Sequence, residues 1–342
     1  MAINSAEHER PWVAHYPPGI EWDVPIDTTP VHEQVLRACA AAPDADALDF
    51  LGKKTKFRDL ARQIDAFAGA LQQKFGVKKG TRVGLLLPNT PFFVVAYYAI
   101  LQAGGTVVNC NPLYTVSELR HIVGNAGAEL MITLDLKLIF EKAEKLVSEG
   151  HIKRLIVCNF PGALPGAKKL LFKIAKSGDL AKVSASPIAD RIADFDALVG
   201  LKLTPTPVSI DAATDCAVQQ YTGGTTGVPK GAMLSHANIA AQVSQINYWG
   251  GHLFHPPSRV IAVLPFFHIF AMTTCMNLPL SGGVQVIMLP RFEMRAFLDT
   301  MTRTGANVLL AVPTLIQALA NPGEKSVPHL QSLEVTVSGG AP

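Results

Sequence analysis

Arg82-Val83-Gly84-Leu85-Leu86-Leu87, then Pro91 to Leu101, then Thr106-Val107-Val108-Asn109, is the stretch on which the fold turns. After Arg82 its first run is short and wholly apolar, as suits a strand buried on both faces. Pro91 fits the first turn of a helix, where a missing N–H is no loss. The helix it opens continues over 92–101 to Gly104, and a second buried strand follows at 106–109. From 83 to 117 no residue is charged, and from 260 to 290 only His268 interrupts an equally apolar run. Both stretches have the length of a membrane span. Pro88, Pro91, Gly104 and Gly105 break the first, however, and Pro265, Pro279, Gly282 and Gly283 the second. A spanning helix needs about 20 unbroken apolar residues, so both read as buried strand–helix–strand units of an α/β core.

The same rhythm extends outward. Leu60, Ile64, Phe67, Ala68 and Leu71 stand at helical spacing over 57–75, and Lys78, Lys79 and Gly80 punctuate before the first strand. Residues 1–25 read as an irregular lead-in broken by Pro17, Pro18 and Gly19. Downstream, Thr115 and Glu118 fit a capping box that opens a helix to about Asn125. A strand at 130–133, a helix over 137–148 and a strand at 155–158 follow. This alternation predicts a mostly parallel sheet covered on both faces.

The rhythm lapses from 160 to 206, where Lys168, Lys169, Lys173, Lys176 and Lys182 surround Leu170, Leu171, Phe172 and Ile174. Two readings fit: a basic amphipathic helix lying on anionic lipid, or a solvated helix with one face on the core. Strands resume at 216–221, 259–264, 284–289, 307–312 and 333–337, with helices after Ser235, after Ile269, over 294–304 and after Thr314.

The 342 residues are 49% hydrophobic and 17% charged, which excludes a disordered, collagenous or coiled-coil chain and predicts two or three domains. Thirty Lys and Arg against 27 Asp and Glu leave a net charge of +3, too near balance to indicate a nucleic-acid partner. Cys39, Cys110, Cys158, Cys216 and Cys275 include no C-x-x-C pair, which predicts reduced thiols in a cytoplasmic compartment. Glu7, His8, Glu9 and Arg10 leave the N-terminus without the apolar core of a secretory signal.

Chemistry concentrates after the strand at 216–221, in Thr222-Gly223-Gly224-Thr225-Thr226-Gly227-Val228-Pro229-Lys230-Gly231. Glycines without Cβ atoms expose backbone N–H groups, the threonines add hydroxyls, and Lys230 adds a point charge; such a bend can wrap polyphosphate oxygens. It is not a Walker A loop, because Val228 and Pro229 separate the last loop glycine from the lysine and Gly231 replaces the Ser or Thr. Neither a dinucleotide G-x-G-x-x-G nor a G-x-S-x-G serine elbow occurs. His252 and His255 lack a third ligand, so no metal site is expected there.

The segment resembles the signature of the acyl-adenylate-forming (AMP-binding) superfamily, [Y/F]-T-[S/G]-G-T-T-G-x-P-K-G, throughout Tyr221 to Gly231. Three further segments agree in order. Ala103 to Tyr114 resembles the upstream strand–loop motif, Leu264-Pro265-Phe266-Phe267-His268-Ile269-Phe270 the L-P-x-F-H motif, and Ser338-Gly339-Gly340-Ala341-Pro342 the loop against adenine. The wording Asn109-Cys110-Asn111-Pro112-Leu113-Tyr114 is most similar to bacterial long-chain fatty-acid–CoA ligases. The resemblance implies two packed, layered α/β subdomains of the superfamily's N-terminal domain: 26–80 with 236–342, and 81–235 ending in the phosphate loop.

It also implies a mechanism. Carboxylate attacks the α-phosphate of ATP, pyrophosphate leaves, and the thiol of coenzyme A takes the acyl group from acyl-AMP. Resemblance assigns Thr222, Gly223, Gly224, Thr225, Thr226, Gly227 and Lys230 to the phosphates, with Lys230, His268 and Thr226 catalytic and Thr222 a ligand of Mg²⁺. Gly339, Gly340, Ala341 and Pro342 would face the nucleotide, His268 the carboxylate or α-phosphate, and Phe270, Met272 and Met276 the acyl chain. The superfamily's Y-G-x-T-E and T-G-D motifs and its C-terminal lid do not occur in these residues, which implies an N-terminal portion with negligible turnover of its own. A ligase of aryl or shorter acids, acyl transfer to a carrier protein, and a non-catalytic scaffold are the alternatives. The expected partners are a fatty acid, ATP and coenzyme A, with an anionic membrane surface met through 168–182 on the inner face, and a homodimer as a further possibility.

Overall fold

The computed structural model describes residues 10–222, 229–250, 254–321 and 327–340. In chain order, α1 (Val31–Ala41) precedes the hairpin of β1 (Asp46–Phe50) and β2 (Lys53–Lys56). Next come α2 (Phe57–Phe75), β3 (Arg82–Leu86), α3 (Pro91–Gln102), β4 (Thr106–Asn109), α4 (Val116–Ala126), β5 (Leu130–Leu134) and α5 (Lys137–Ser148). They are followed by β6 (Arg154–Cys158), α6 (Phe160–Ala163), α7 (Gly166–Ala175), β7 (Ile192–Asp194), α8 (Phe195–Gly200), β8 (Cys216–Thr222) and β9 (Lys230–Ser235). The last strands are β10 (Arg259–Ala262), β11 (Gln285–Met288), β12 (Val308–Ala311) and β13 (Val335–Ser338), with α9 (His236–Gly250) before β10 and helices Met294–Thr304 and Pro313–Ala320 between strands.

Among the described residues the strands form two sheets. One runs β13-β12-β10-β11-β1-β2 and the other β7-β6-β5-β3-β4-β8-β9. Each is parallel except at one edge, where β2 and β9 run antiparallel to β1 and β8. The decisive stretch behaves as its sequence dictates. Thr90 caps α3 by accepting from Phe93 N, Pro91 fills the first turn, and residues 92–101 are all buried. A helix wrapped by protein on every side needs no polar face, and α3 packs against α1, α2 and β4. Its hydroxyls are satisfied inside the core: Tyr98 donates to Asn277 Oδ1 at 2.9 Å, and Asn277 Nδ2 donates to the Tyr97 hydroxyl at 3.3 Å. The capping box of α4 is present, with Thr115 N donating to Glu118 Oε2 at 2.7 Å and Glu118 N to Thr115 Oγ1 at 3.3 Å.

Three features differ from the sequence expectation. Lys230 and Gly231 do not belong to the glycine-rich bend but begin β9, where six consecutive residues ladder with β8. Cross-strand hydrogen bonds create this strand, since its own residues are mostly exposed and carry no alternation. The helix after Ile269 opens to a π-helical turn over Met272–Asn277. There the Thr274 hydroxyl donates back to the Phe270 carbonyl at 2.8 Å, and Pro279 offers no N–H to the Cys275 carbonyl. Finally, the basic helix stops at Ala175, before Lys176 and Lys182, and buries none of its residues. No described helix is long and apolar enough to cross a membrane.

Candidate active site

Ligands of parallel α/β sheets bind beyond the carboxyl ends of the strands, and here the ends of both sheets converge. Asn89, buried in the turn after β3, donates through Nδ2 to the Leu264 carbonyl at 2.9 Å and accepts from Phe266 N at 2.8 Å. It thereby ties the second sheet to the segment that leads to His268. Asn109, the last residue of β4, donates to Gln220 Oε1 at 2.9 Å and to Met272 Sδ at 3.4 Å. Gln220 Nε2 in turn donates to the Phe267 carbonyl at 3.0 Å. Three segments singled out in the sequence are thus physically joined: 103–114, the strand before the bend, and 264–270.

The bend itself is a hairpin loop. Thr222 ends β8 opposite Lys230, which begins β9. Gly223, Gly224, Thr225, Thr226 and Gly227 lie outside the described residues, as do His252, Ala341 and Pro342. Both shoulders of the bend are braced by α4. Tyr221 donates its hydroxyl to Asn125 Oδ1 at 2.6 Å, and His121 donates through Nε2 to the Pro229 carbonyl at 3.2 Å. His121 and Asn125 stand four residues apart, hence on one helix face. Sequence reading missed both; the available signal was a polar i,i+4 pair on a helix capped just beyond the 103–114 motif. Tyr221 also explains Gly231, because a Cβ there would stand 2.8 Å from the Tyr221 Cζ. Partial burial, together with the nearby Cys110 thiol, holds the Tyr221 phenol above its ordinary pKa, so it stays a donor.

The side chains of Thr222 and Lys230 are exposed, and Lys230 has no ion-pair partner among the described residues. His268 is exposed as well, its backbone fixed by donation from its N to the Pro265 carbonyl and by acceptance from Met272 N, both 2.9 Å. Phe270 is half-buried and meets the end of β13, where a Cβ on Gly340 (φ 79°) would lie 3.3 Å from Phe270 Cδ1. Gly339 N donates to the Ala311 carbonyl at 3.1 Å, which holds this turn beside β12. Met272 and Met276 are fully buried. A cavity of about 1330 Å³ opens at the same strand ends, lined by residues that include Asn89, Leu113, Leu138, Leu171, Phe267 and Leu315. His268, Phe270, Met272 and Met276 are not part of its wall.

No cluster of three His, Cys, Asp or Glu side chains with metal-binding geometry occurs among the described residues. All five cysteines are free, and burial pushes the thiols of Cys39, Cys110 and Cys275 up to about 12, so none is a nucleophile at neutral pH. What the arrangement offers chemically is an ammonium and a hydroxyl at the neck of a glycine-rich bend, an exposed imidazole on a segment tied to the strand before it, and an apolar cavity at the same strand ends.

A family model described as AMP-binding enzyme matches residues 35–342. A long-chain-fatty-acid–CoA ligase of Bacillus subtilis (strain 168) is 32% identical over 340 residues, which is 98% of this chain and 59% of that protein. A further relative, a probable 4-coumarate–CoA ligase 1 of Dictyostelium discoideum, is 30% identical over 93% of this chain and 56% of its own. The crystal structure of a long-chain-fatty-acid-CoA ligase from Archaeoglobus fulgidus superposes with a TM-score of 0.74 at 20% identity, covering 95% of this chain and 60% of that one. The chain therefore spans about 60% of the length of the curated relatives it matches.

Proposed function

The chain belongs to the AMP-binding enzyme family, and from that membership we propose that the protein activates a long-chain fatty acid with ATP and passes the acyl group to coenzyme A. A carboxylate oxygen forms a bond to the α-phosphorus while the bond to the departing pyrophosphate breaks. The sulfur of coenzyme A then bonds to the acyl carbon, AMP leaves with the electron pair of the anhydride oxygen, and the thiol proton goes to solvent. Both steps depend on positioning and charge stabilisation.

The observation that carries this reading is the register of the hairpin. Thr222 opposite Lys230 brings a hydroxyl and an ammonium to the two sides of one neck, the geometry a polyphosphate chain needs for contact from both sides. In this reading Gly223, Gly224, Thr225, Thr226 and Gly227 cradle the phosphates and Lys230 neutralises them. His268 stands at the carboxylate or α-phosphate, and Gly339, Gly340, Ala341 and Pro342 face the adenine. In this reading Phe270, Met272 and Met276 border the acyl chain at its carboxylate end beside His268, and the cavity, whose wall includes Phe267 but none of these three, takes the rest of the chain. The Thr222 hydroxyl is a hard, exposed oxygen donor of the kind Mg²⁺ accepts beside phosphate and water, and the bound ion would supply charge neutralisation at the phosphates. A long aliphatic acid is favoured over an aryl acid because a cavity of about 1330 Å³ exceeds the roughly 300–1,000 Å³ of ordinary small-molecule sites.

The test is pyrophosphate release by the intact protein across an acid panel with ATP, magnesium and coenzyme A. Saturated long-chain acids are expected to give the highest kcat/KM. Preference for benzoates or cinnamates, which the 4-coumarate–CoA ligase relative makes the second reading, would overturn the fatty-acid assignment.

A further inference from the structure

We propose that α7 is a membrane-docking helix that sets the mouth of the apolar cavity against an anionic lipid surface. Docking itself stands on the surface of α7; its use, delivery of an aliphatic acid from the bilayer, rests on the acyl-CoA ligase reading.

An ordinary surface helix turns apolar residues inward and charges outward, whereas α7 does the reverse. Phe172 is its inward anchor, half-buried and edge-on to Phe160 at 5.3 Å. Helical spacing puts Lys168 and Lys169 toward that same side, Leu170 and Ile174 on the opposite one, and Leu171 and Lys173 on the two flanks between them, with Lys176 just past the helix end. Leu170, Leu171 and Ile174 are 61%, 65% and 72% exposed. The base is fastened to the neighbouring sheet: Lys168 Nζ donates to the Leu51 carbonyl at 2.8 Å, and Lys53 Nζ donates to the Gly162 carbonyl at 2.6 Å. A stripe of three large aliphatic side chains held out on a fastened helix, with lysines beneath it, matches an interfacial helix whose apolar edge enters the acyl region while ammonium groups reach headgroup phosphates.

Charge identifies the partner. From Phe160 to Gly178 there is no Asp or Glu, only lysine, so the surface complements an anion. A groove on another protein would satisfy the leucines but would leave the lysines unaddressed, whereas an anionic bilayer satisfies both along one plane. The cavity supplies a reason for the docking. Leu171 and Phe172 of α7, with Lys176 just beyond its end, form part of its wall together with Leu113 and Leu138, which are 84% and 80% exposed at its rim. These leucines extend the apolar stripe to the opening.

Flotation with lipid vesicles tests the proposal without ATP, acid or coenzyme A, so its failure is separate from failure of the ligase reading. The chain is expected to float with vesicles containing phosphatidylglycerol and not with pure phosphatidylcholine, and to be released by salt. L170Q with I174Q should weaken binding by at least about tenfold per side chain. K173E with K176E should weaken it by more than about 25-fold, taking about fivefold per lysine at an anionic surface. Unchanged melting curves confirm that these exposed substitutions leave the fold intact. Leu138→Trp places a reporter at the rim, and brominated lipid should quench it. Absence of flotation on anionic vesicles, flotation indifferent to both double variants, or an unquenched Leu138→Trp would each overturn the proposal. A shift to a dimer abolished by L170Q with I174Q, without vesicle binding, would assign the stripe to a second copy instead.

Discussion

Gly231 shows how a single residue in the bend is determined by what lies above it. Its missing side chain leaves room for the Tyr221 ring, whose hydroxyl reaches Asn125 at 2.6 Å. Gly231→Ala would put a methyl group 2.8 Å from Tyr221 Cζ, inside any real carbon contact. The ring must swing away and give up Asn125, an overpacking cost of about 1–3 kcal/mol. Urea unfolding of G231A, Y221A and the double variant checks this: the double variant should recover part of the G231A loss, because the clash is gone. Additive losses would show that the ring and the glycine do not meet. Lys230, one position earlier, makes a contrasting prediction. Its side chain is exposed and without an ion-pair partner among the described residues, so Lys230→Ala should leave the melting temperature unchanged. If it holds the phosphates, the same variant should lose about 10²–10³-fold in pyrophosphate release, as does the loss of one preorganised charge-stabilising contact. A Lys230→Ala enzyme with full activity would remove the lysine from the site.

At the scale of elements, the site exists because turns from different sheets are stitched together, and Asn89 is the tightest stitch. It bonds both Leu264 and Phe266 from a position 2% exposed. Asn89→Leu should leave a buried N–H and a buried carbonyl unpaired, at about 1–3 kcal/mol for each, and loosen the segment carrying His268. Thermal melting reads the first effect, and a rise in KM for the acid with little change in KM for ATP reads the second. Equal stability of Asn89→Leu and the parent would show that the two turns need no such tie. Elements whose causes are local were legible in the sequence: α3 from Pro91, α4 from Thr115 and Glu118, the buried strands from their apolar runs. Elements created by distant partners were not. β1 hides behind Asp49, a carboxylate 1% exposed that takes two hydrogen bonds from Arg303, 254 positions away, and one from Gly52 N. β9 looks like loop because its residues are mostly exposed and only the ladder with β8 makes it a strand. Of the site, the bend, His268 and the 338–340 turn were visible as residue patterns. The braces His121, Asn125 and Asn89 were not, since a lone polar side chain carries no sign of the backbone group it will meet.

For the whole molecule, the junction of α1 and α9 sets an acid limit. His32 and His236 meet edge to face with ring centroids 5.7 Å apart, 5% and 1% exposed, and each has a buried Nδ1 without a hydrogen-bond partner among the described residues. Burial, and to a lesser degree His236, pushes His32 down to about 3. Burial pushes His236 down to about 4 against the opposing pull of Asp215. Both rings are therefore neutral in the fold, while an unfolded chain protonates them near pH 6.5. Above that pH the pair exerts no differential effect. As pH falls through 6.5 the unfolded state gains protons that the folded state refuses, so stability is lost progressively down to about pH 4 for His236 and about pH 3 for His32. By pH 5 each histidine accounts for roughly 2 kcal/mol. Asp135 works the other way: burial raises it to about 6, so its protonation returns some stability between pH 6 and its unfolded value of 3.8. The net expectation is a melting temperature that falls between pH 7 and pH 5, with the fall reduced in His32→Phe, which fills the same apolar space without a basic nitrogen. Melts recorded at both pH values on the two proteins decide it. A fall of the same size in His32→Phe and parent would mean that the pair is not what acid acts on.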